Sequence, residues 1–147
     1  MRRYIAWIAA LEPEDGRADL CDLCAEMLTS MGGAVVEPIL GALEGATQAA
    51  RSVFADILSN FPGDERVFAL LMERFAHETE RRALFASYLA KLGDERALPA
   101  LVQAAASPDI NYLDFVEISS AIEALGGDRP AEREFAGDPY YESLKRV

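Results

Sequence analysis

The chain has 147 residues, of which 51% are hydrophobic, and its 25 acidic and 14 basic residues give a formal charge of −11. This length fits one domain, predicted over residues 1–147, whose folding buries roughly two thirds of the unfolded surface without help from a disulfide or a metal. The negative charge repels a phosphate backbone and no run of Lys and Arg offsets it, so nucleic acid is not expected as a partner.

The chain begins with two arginines and a short apolar stretch that runs straight into an acidic segment. The stretch is too short for an export signal, so it predicts a first helix over 3–11. No segment of the sequence reaches the apolar length of a membrane span, so we expect no membrane partner and a cytoplasmic location. Tyr4 and Trp7 either lie exposed at an open end, where a second copy of the chain can dock as a homodimer, or are buried against Leu20 and Leu23.

The second helix, predicted over 17–31, contains Cys21 and Cys24 in a Cys-x-x-Cys spacing. A zinc site would need two more soft ligands, whereas the chain has no other cysteine and a single histidine, His77. A thioredoxin-like motif opens a helix directly after a strand, and no strand precedes this one. We therefore expect two ordinary helix residues, with Cys24 buried and no metal or other cofactor; a redox role is the alternative.

A landmark of Gly, Asp and Arg occurs three times along the chain. Its copies are Gly63-Asp64-Glu65-Arg66, Gly93-Asp94-Glu95-Arg96 and the shorter Gly127-Asp128-Arg129, at spacings of 30 and 34 residues. The glycine can end one helix in the left-handed conformation, and the aspartate can cap the next helix. We expect the Asp and Arg side chains to act as caps and as pairs between repeats.

The helices before these landmarks share one apolar pattern. A position in the pattern is given as an offset, which is its distance in residues from the last apolar residue of the segment, counted backwards. Offsets 0, −3, −4, −7 and −8 form a stripe on one helix face, in copies that end at Met31, Phe61, Leu92 and Leu125. Only Glu117, at offset −8 of the last copy, is charged. It is expected either to pair with an arginine such as Arg82 or to face solvent.

Shorter apolar segments after the landmarks complete a series of helical hairpins. The predicted helices are 3–11 and 17–31, 35–43 and 48–61, 66–76 and 80–92, and 96–106 and 111–125. Since a lone pair of short helices cannot cover its own apolar face, neighbouring pairs must stack. The predicted fold is therefore an all-α solenoid of about four hairpins, with approximate repeats 3–33, 34–66, 67–96 and 97–129. A C-terminal cap over 130–147 closes the stack with Phe135, Tyr140, Tyr141 and Leu144.

The junction from Leu92 to Leu101, LGDERALPAL, closely resembles that of the bacterial HEAT-like repeats, the kind also found in phycobilin lyase subunits. The likeness covers residues 33 to 129, and Arg51 and Arg82 fall where that family usually carries an arginine. The resemblance implies a short right-handed α-α superhelix whose second helices line a concave surface on which partners dock.

On those second helices, offsets −9, −5 and −2 form a row that is small, polar and partly acidic. With Glu117 added, the candidate binding residues are Asp22, Glu26, Asp56, Ser59, Ser87, Glu117, Ser120 and Glu123. Such a row can receive a protein or peptide, basic or helical in character, with Asp22, Glu26, Asp56 and Glu123 as charge partners. The alternative is the solvated helix face of an acidic protein.

No catalytic constellation is visible in the sequence. His77 lies in a predicted turn with no nucleophile beside it, and the Gly32-Gly33 pair lacks the partners of a phosphate-binding loop. We therefore predict a non-enzymatic interaction scaffold. Two alternatives are an accessory subunit of a modifying enzyme, similar to the phycobilin lyases, and a DNA-binding helical-repeat protein like the solenoid DNA glycosylases.

Overall fold

The computed structural model describes residues 1–10 and 18–145, and this part of the chain is helical without any strand. Nine α-helices occur in these ranges. They are α1 (Arg2–Ala9), α2 (Ala18–Ser30), α3 (Val36–Ala42), α4 (Gln48–Leu58), α5 (Glu65–His77), α6 (Arg82–Leu92), α7 (Leu98–Ala105), α8 (Tyr112–Ala124) and α9 (Pro139–Lys145). The all-α fold class is confirmed.

A helix overlaps each of the eight predicted ranges, because the local signals that start and stop helices are strong. Thr47 caps α4 by accepting a hydrogen bond from the Ala50 amide at 3.1 Å, and Asn111 caps α8 by accepting one from the Asp114 amide at 2.8 Å. Proline stands in the first turn of α7, where a missing amide proton costs least. The predicted helix ends at residues 11 and 17 lie outside the described residues.

The chain divides into two compact units, Met1–Val67 and Phe68–Val147, here called unit 1 and unit 2. The division falls within one residue of a predicted repeat boundary. In unit 1, α1 contacts α2, α3 and α4, and α2 also contacts α4. These four helices bury Ile8, Leu28, Ile39 and Phe54 completely. Each such side chain stabilises the fold by roughly 1.5–3 kcal/mol.

In unit 2, α8 is the central helix. It contacts α6, α7 and α9. The fully buried side chains of this unit include Leu71, Leu89, Leu101, Ile118 and Ile122. Because α6 and α8 lie side by side, their equivalent residues belong to one surface.

The first two landmarks form the same local structure at the start of α5 and before α7. The Asp64 carboxylate accepts hydrogen bonds from the Arg66 amide at 2.9 Å and from its guanidinium, and Asp94 does the same with Arg96. The guanidinium hydrogen bonds are the main reason why the pKa of each aspartate is lowered. The caps are confirmed. Each aspartate and its arginine also form an ion pair, here called an Asp-Arg fork, but this pair joins residues two positions apart and does not link two repeats.

The third landmark differs from the other two. The left-handed residue is Gly126, with φ +86°, rather than Gly127. At Gly127 a Cβ atom would lie 2.8 Å from side-chain carbons of Ile122 and Leu98, so this glycine permits a close approach. Arg129 pairs with Glu123 at 3.3 Å instead of forming an Asp-Arg fork.

The C-terminal segment is held onto unit 2 by two side chains. Asp138 accepts the amide of Tyr112, at the start of α8, and those of Tyr140 and Tyr141 in α9, at 3.0–3.1 Å. These backbone hydrogen bonds, led by that of Tyr112, lower the pKa of Asp138. Arg133 donates to the carbonyl oxygens of Ala105 and Ser107, which satisfies acceptors at the end of α7.

The four residues predicted to close the end of the stack, Phe135, Tyr140, Tyr141 and Leu144, differ in burial. Phe135 is buried, with its ring centroid 5.1 Å from that of Phe115 and 5.5 Å from that of Tyr112. Tyr141 is half-buried. Tyr140 and Leu144 are exposed, although the ring of Tyr140 stacks on that of Tyr112 with their centroids 6.1 Å apart.

Within the described residues, no single helix has the length and apolar composition of a membrane span; the segments Leu20–Ser30 and Gly32–Ala42, bent by 119° relative to each other, meet those criteria as a pair.

Candidate functional site

The most regular exposed feature of the second helices, α2, α4, α6 and α8, is offset −5. It holds Glu26, Asp56, Ser87 and Ser120, and all four residues are exposed. Their helices contact each other within a unit, α2 with α4 and α6 with α8. Each unit therefore carries two of these exposed residues on contacting helices, two acidic residues in unit 1 and two hydroxyl residues in unit 2.

The other predicted positions of the row are less uniform. Asp22 is exposed at offset −9 of α2, and Glu123 is exposed at offset −2 of α8, where it pairs with Arg129. Ser59, at offset −2 of α4, is completely buried and its hydroxyl donates to the Asp56 carbonyl oxygen. The expectation that Ser59 faces a partner is therefore wrong, because this side of α4 is covered.

Glu117 is exposed to solvent, which is one of its two predicted outcomes. None of the ion pairs within the described residues joins it to Arg82. The reason is general, since Leu23 and Leu84 at the same offset −8 are also exposed. The prediction that offset −8 belongs to the core is wrong for these helices, and Glu117 breaks no buried pattern.

Offset −6 is a buried position that the sequence reasoning missed. It holds Ala55, Ala86 and Ser119, which are buried, and Ala25, which is half-buried. The signal was present in the sequence, because a small residue recurs at this offset in all four second helices. Ser119 is the polar member, and its completely buried hydroxyl oxygen lacks a hydrogen-bond partner.

Cys21 and Cys24 are free thiols, and both are half-buried. Burial first, and then the nearby Asp22 and Cys24, raise the pKa of the Cys21 thiol. A raised pKa disfavours the nucleophilic thiolate, which a redox motif requires. The expectation that Cys24 is buried is wrong in degree, because the side of α2 that carries Cys24 is only partly covered.

Three cavities occur among the described residues, and the residues that line each of them belong to one unit only. One of about 580 Å³ lies in unit 1 between α1 and α3, beside Arg2, Ile5 and Pro38. Two in unit 2, of about 610 and 380 Å³, share Arg82 and Ser107 among their lining residues. The larger cavity is lined by three carboxylates, those of Glu80, Asp109 and Asp114, and by one cation, Arg82. Its lining is therefore negative overall and does not favour an anionic ligand.

Within the described part of the chain, no group of three or more His, Cys, Asp or Glu side chains can hold a metal ion. His77, at the end of α5, is exposed. The prediction of a protein without enzymatic activity or cofactor stays a prediction.

Comparison with known proteins gives no match to this chain, either among protein-family models, among curated proteins or among solved structures.

Proposed function

We propose that the protein is a non-enzymatic interaction scaffold that binds a protein or peptide on the exposed faces of its second helices. One observation carries this proposal: the same helix position, offset −5, is exposed four times and holds only acidic or small polar residues, Glu26, Asp56, Ser87 and Ser120. Short side chains let a partner approach the helix closely, and carboxylates attract a basic partner from a distance.

The proposal includes a HEAT-like stack of about four hairpins. Packing within each unit supports it. In unit 1 the first helices α1 and α3 contact each other, as do the second helices α2 and α4, and in unit 2 the second helices α6 and α8 do so. In a stack of hairpins, the first helices of neighbouring hairpins pack against each other, and so do their second helices. The recurring Asp-Arg forks at α5 and α7 are consistent with a repeated unit.

The test removes the negative charges of the predicted row without changing side-chain size. The variant carries Asp22→Asn, Glu26→Gln, Asp56→Asn and Glu123→Gln. A matched control carries Glu95→Gln, Asp128→Asn, Glu132→Gln and Glu134→Gln, which are exposed residues outside the row with the same change in net charge. Both are used with the wild type to recover bound proteins from native extract.

We expect the row variant to lose a protein that the wild type and the control both retain. Recovery of the same proteins in the same amounts with all three forms would show that the row is only a solvated helix face.

A further inference from the structure

The exposed side of α2 carries an apolar stripe formed by Leu20, Leu23, Met27 and Met31. Leu20 is 53% exposed, Leu23 52% and Met31 38%, and Met27 is half-buried. Spacings of three and four residues place Leu20, Leu23 and Met27 along one side of the helix, and Met31 follows its last residue, Ser30. Large apolar side chains left in a continuous line on one helix are a common mark of a protein interaction site.

The same four offsets are less exposed in the next second helix, α4, and just beyond it. Ala50 and Ile57 are buried, and Val53 and Phe61, which follows the end of α4, are half-buried. That helix contacts α1 and α2. The equivalent face of that one helix is therefore more deeply buried than the stripe of α2, and the elements that contact it are helices, so a helix is the element that fits the stripe.

One edge of the stripe is acidic. Asp22 and Glu26 are both exposed and lie one turn apart, and no ion pair of either carboxylate occurs within the described residues. Like charges at this spacing repel each other and destabilise the helix slightly. No basic residue stands in the last turn of α2 to offset the negative end of its dipole. Electrostatics at this edge therefore favour a cationic partner.

We propose that the stripe, with its acidic edge, binds a basic amphipathic helix of a partner protein. The inference rests on the proposed scaffold function and names the chemistry of its partner. The apolar side of the ligand helix covers Leu20 and Leu23, while its Lys or Arg residues reach Asp22 and Glu26. The flexible side chains of Met27 and Met31 adapt to the ligand surface. A second copy of this chain fits less well, since each copy carries a charge of −11.

The test uses the full chain and a fluorescent synthetic peptide of about 16 residues, with leucines on one helix face and lysines along its edge. A scrambled peptide has the same composition and charge without the apolar face. Fluorescence anisotropy measures both affinities. We expect the amphipathic peptide to bind at least about tenfold more tightly than the scrambled one.

Protein variants locate the site. Leu20→Ser with Leu23→Ser should weaken binding of the amphipathic peptide roughly tenfold or more. The matched control is Val102→Ser with Leu113→Ser, since these residues, each 49% exposed, lie on helices of unit 2, and it should bind normally. Asp22→Asn with Glu26→Gln should weaken binding several-fold at low salt, an effect that disappears near about 1 M salt.

A second readout comes from Cys24, which lies beside the stripe on α2. In a Cys21→Ser variant Cys24 is the single cysteine. Saturation with the amphipathic peptide should slow its alkylation by a maleimide, and the scrambled peptide at equal concentration should not. An unchanged alkylation rate at saturation would place the peptide elsewhere and overturn the proposal.

Three other results would also overturn it: equal binding of both peptides, unchanged binding by the Leu20→Ser, Leu23→Ser variant, or a wild-type dimer that this variant abolishes in sedimentation. If these appear while the row variant still loses its partner, the scaffold function stands and the α2 site is wrong. If the peptide binds through the stripe while the row variant retains every partner, the α2 site stands, and the acidic residues of the row are not what holds a partner.

Discussion

At the scale of single residues, Ser119 shows how one buried atom at a repeated position affects the stability of the protein. Offset −6 holds alanine in α2, α4 and α6, and serine in α8. Because its hydroxyl is completely buried without a partner, Ser119 retains the desolvation penalty of that group, about 1–3 kcal/mol. Serine at this position therefore costs stability.

Replacing Ser119 by alanine should raise the free energy of unfolding, by about 1 kcal/mol, because it removes the unsatisfied hydroxyl and leaves a residue that this position already accommodates three times. Urea denaturation followed by circular dichroism measures the change. Ser59→Ala is the matched control, since the Ser59 hydroxyl is equally buried but hydrogen-bonded, and it should be neutral or destabilising. Destabilisation by Ser119→Ala would mean that its hydroxyl has a partner.

Asp94 combines a cap and an ion pair, and two substitutions separate them. Asp94→Ala should lower the free energy of unfolding by about 1 kcal/mol, because the Arg96 amide loses its acceptor. Asp94→Asn keeps an acceptor and loses only the exposed ion pair, so it should cost less, about 0.5 kcal/mol. Thermal or urea unfolding distinguishes the two. Equal losses would show that the guanidinium contacts, rather than the cap, stabilise this turn.

At the scale of helices, the sequence predicted where each element lies better than which side of it is covered. Starts and ends follow from local chemistry, as at Thr47 and Gly93, and the nearest few residues determine them. Burial depends on which helix lies across each face, and a helical pattern carries no such information. For this reason Ser59 was expected on the surface and is buried, and offset −8 was assigned to the core, although Leu23 and Leu84 at that offset are exposed.

The candidate site was predictable to a similar extent. The exposed acidic and hydroxyl residues at offset −5 were all identified, because polar residues within an apolar pattern mark the solvated side. The exposed stripe of α2 was not, since the residues equivalent to Leu20 and Leu23 in the next repeat, Ala50 and Val53, are buried and half-buried. Among the described residues, no helix covers this side of α2 to the same extent.

The C-terminal element should be held less firmly in acid. The pKa of Asp138 is lower in the folded protein than in the unfolded chain, so its contribution to stability is complete above the unfolded pKa of about 3.9. That contribution is lost as the pH falls through the folded pKa. Hydrogen exchange of residues 130–145 should therefore show protection at neutral pH that decreases below about pH 4.

An Asp138→Asn variant supplies the control for this element. It lacks the titrating group, so its protection of residues 130–145 should be lower at neutral pH and change little between neutral and acidic solution. Undiminished protection of the wild type in acid would contradict the role given to the Asp138 carboxylate.

At the scale of the whole molecule, the charge of −11 separates the scaffold from its DNA-binding alternative. Long-range repulsion opposes contact with a phosphate backbone, and it is strongest when little salt screens it. We expect no retention of duplex DNA in a mobility-shift assay at about 20 mM salt. Retention that weakens as salt is added would contradict this expectation and favour the helical-repeat DNA-binding proteins.

The central claim, that a partner docks on the second helices, is tested most directly by photo-crosslinking from single positions. A photoreactive residue replaces Glu26, Asp56, Ser87 or Ser120 in turn, and Ala69 or Gln103, which are exposed on the first helices α5 and α7, in the controls. We predict one protein that is crosslinked from the second-helix positions and is absent from the controls. Equal crosslinking from Ala69 and Gln103, or none from the four second-helix positions, would contradict it.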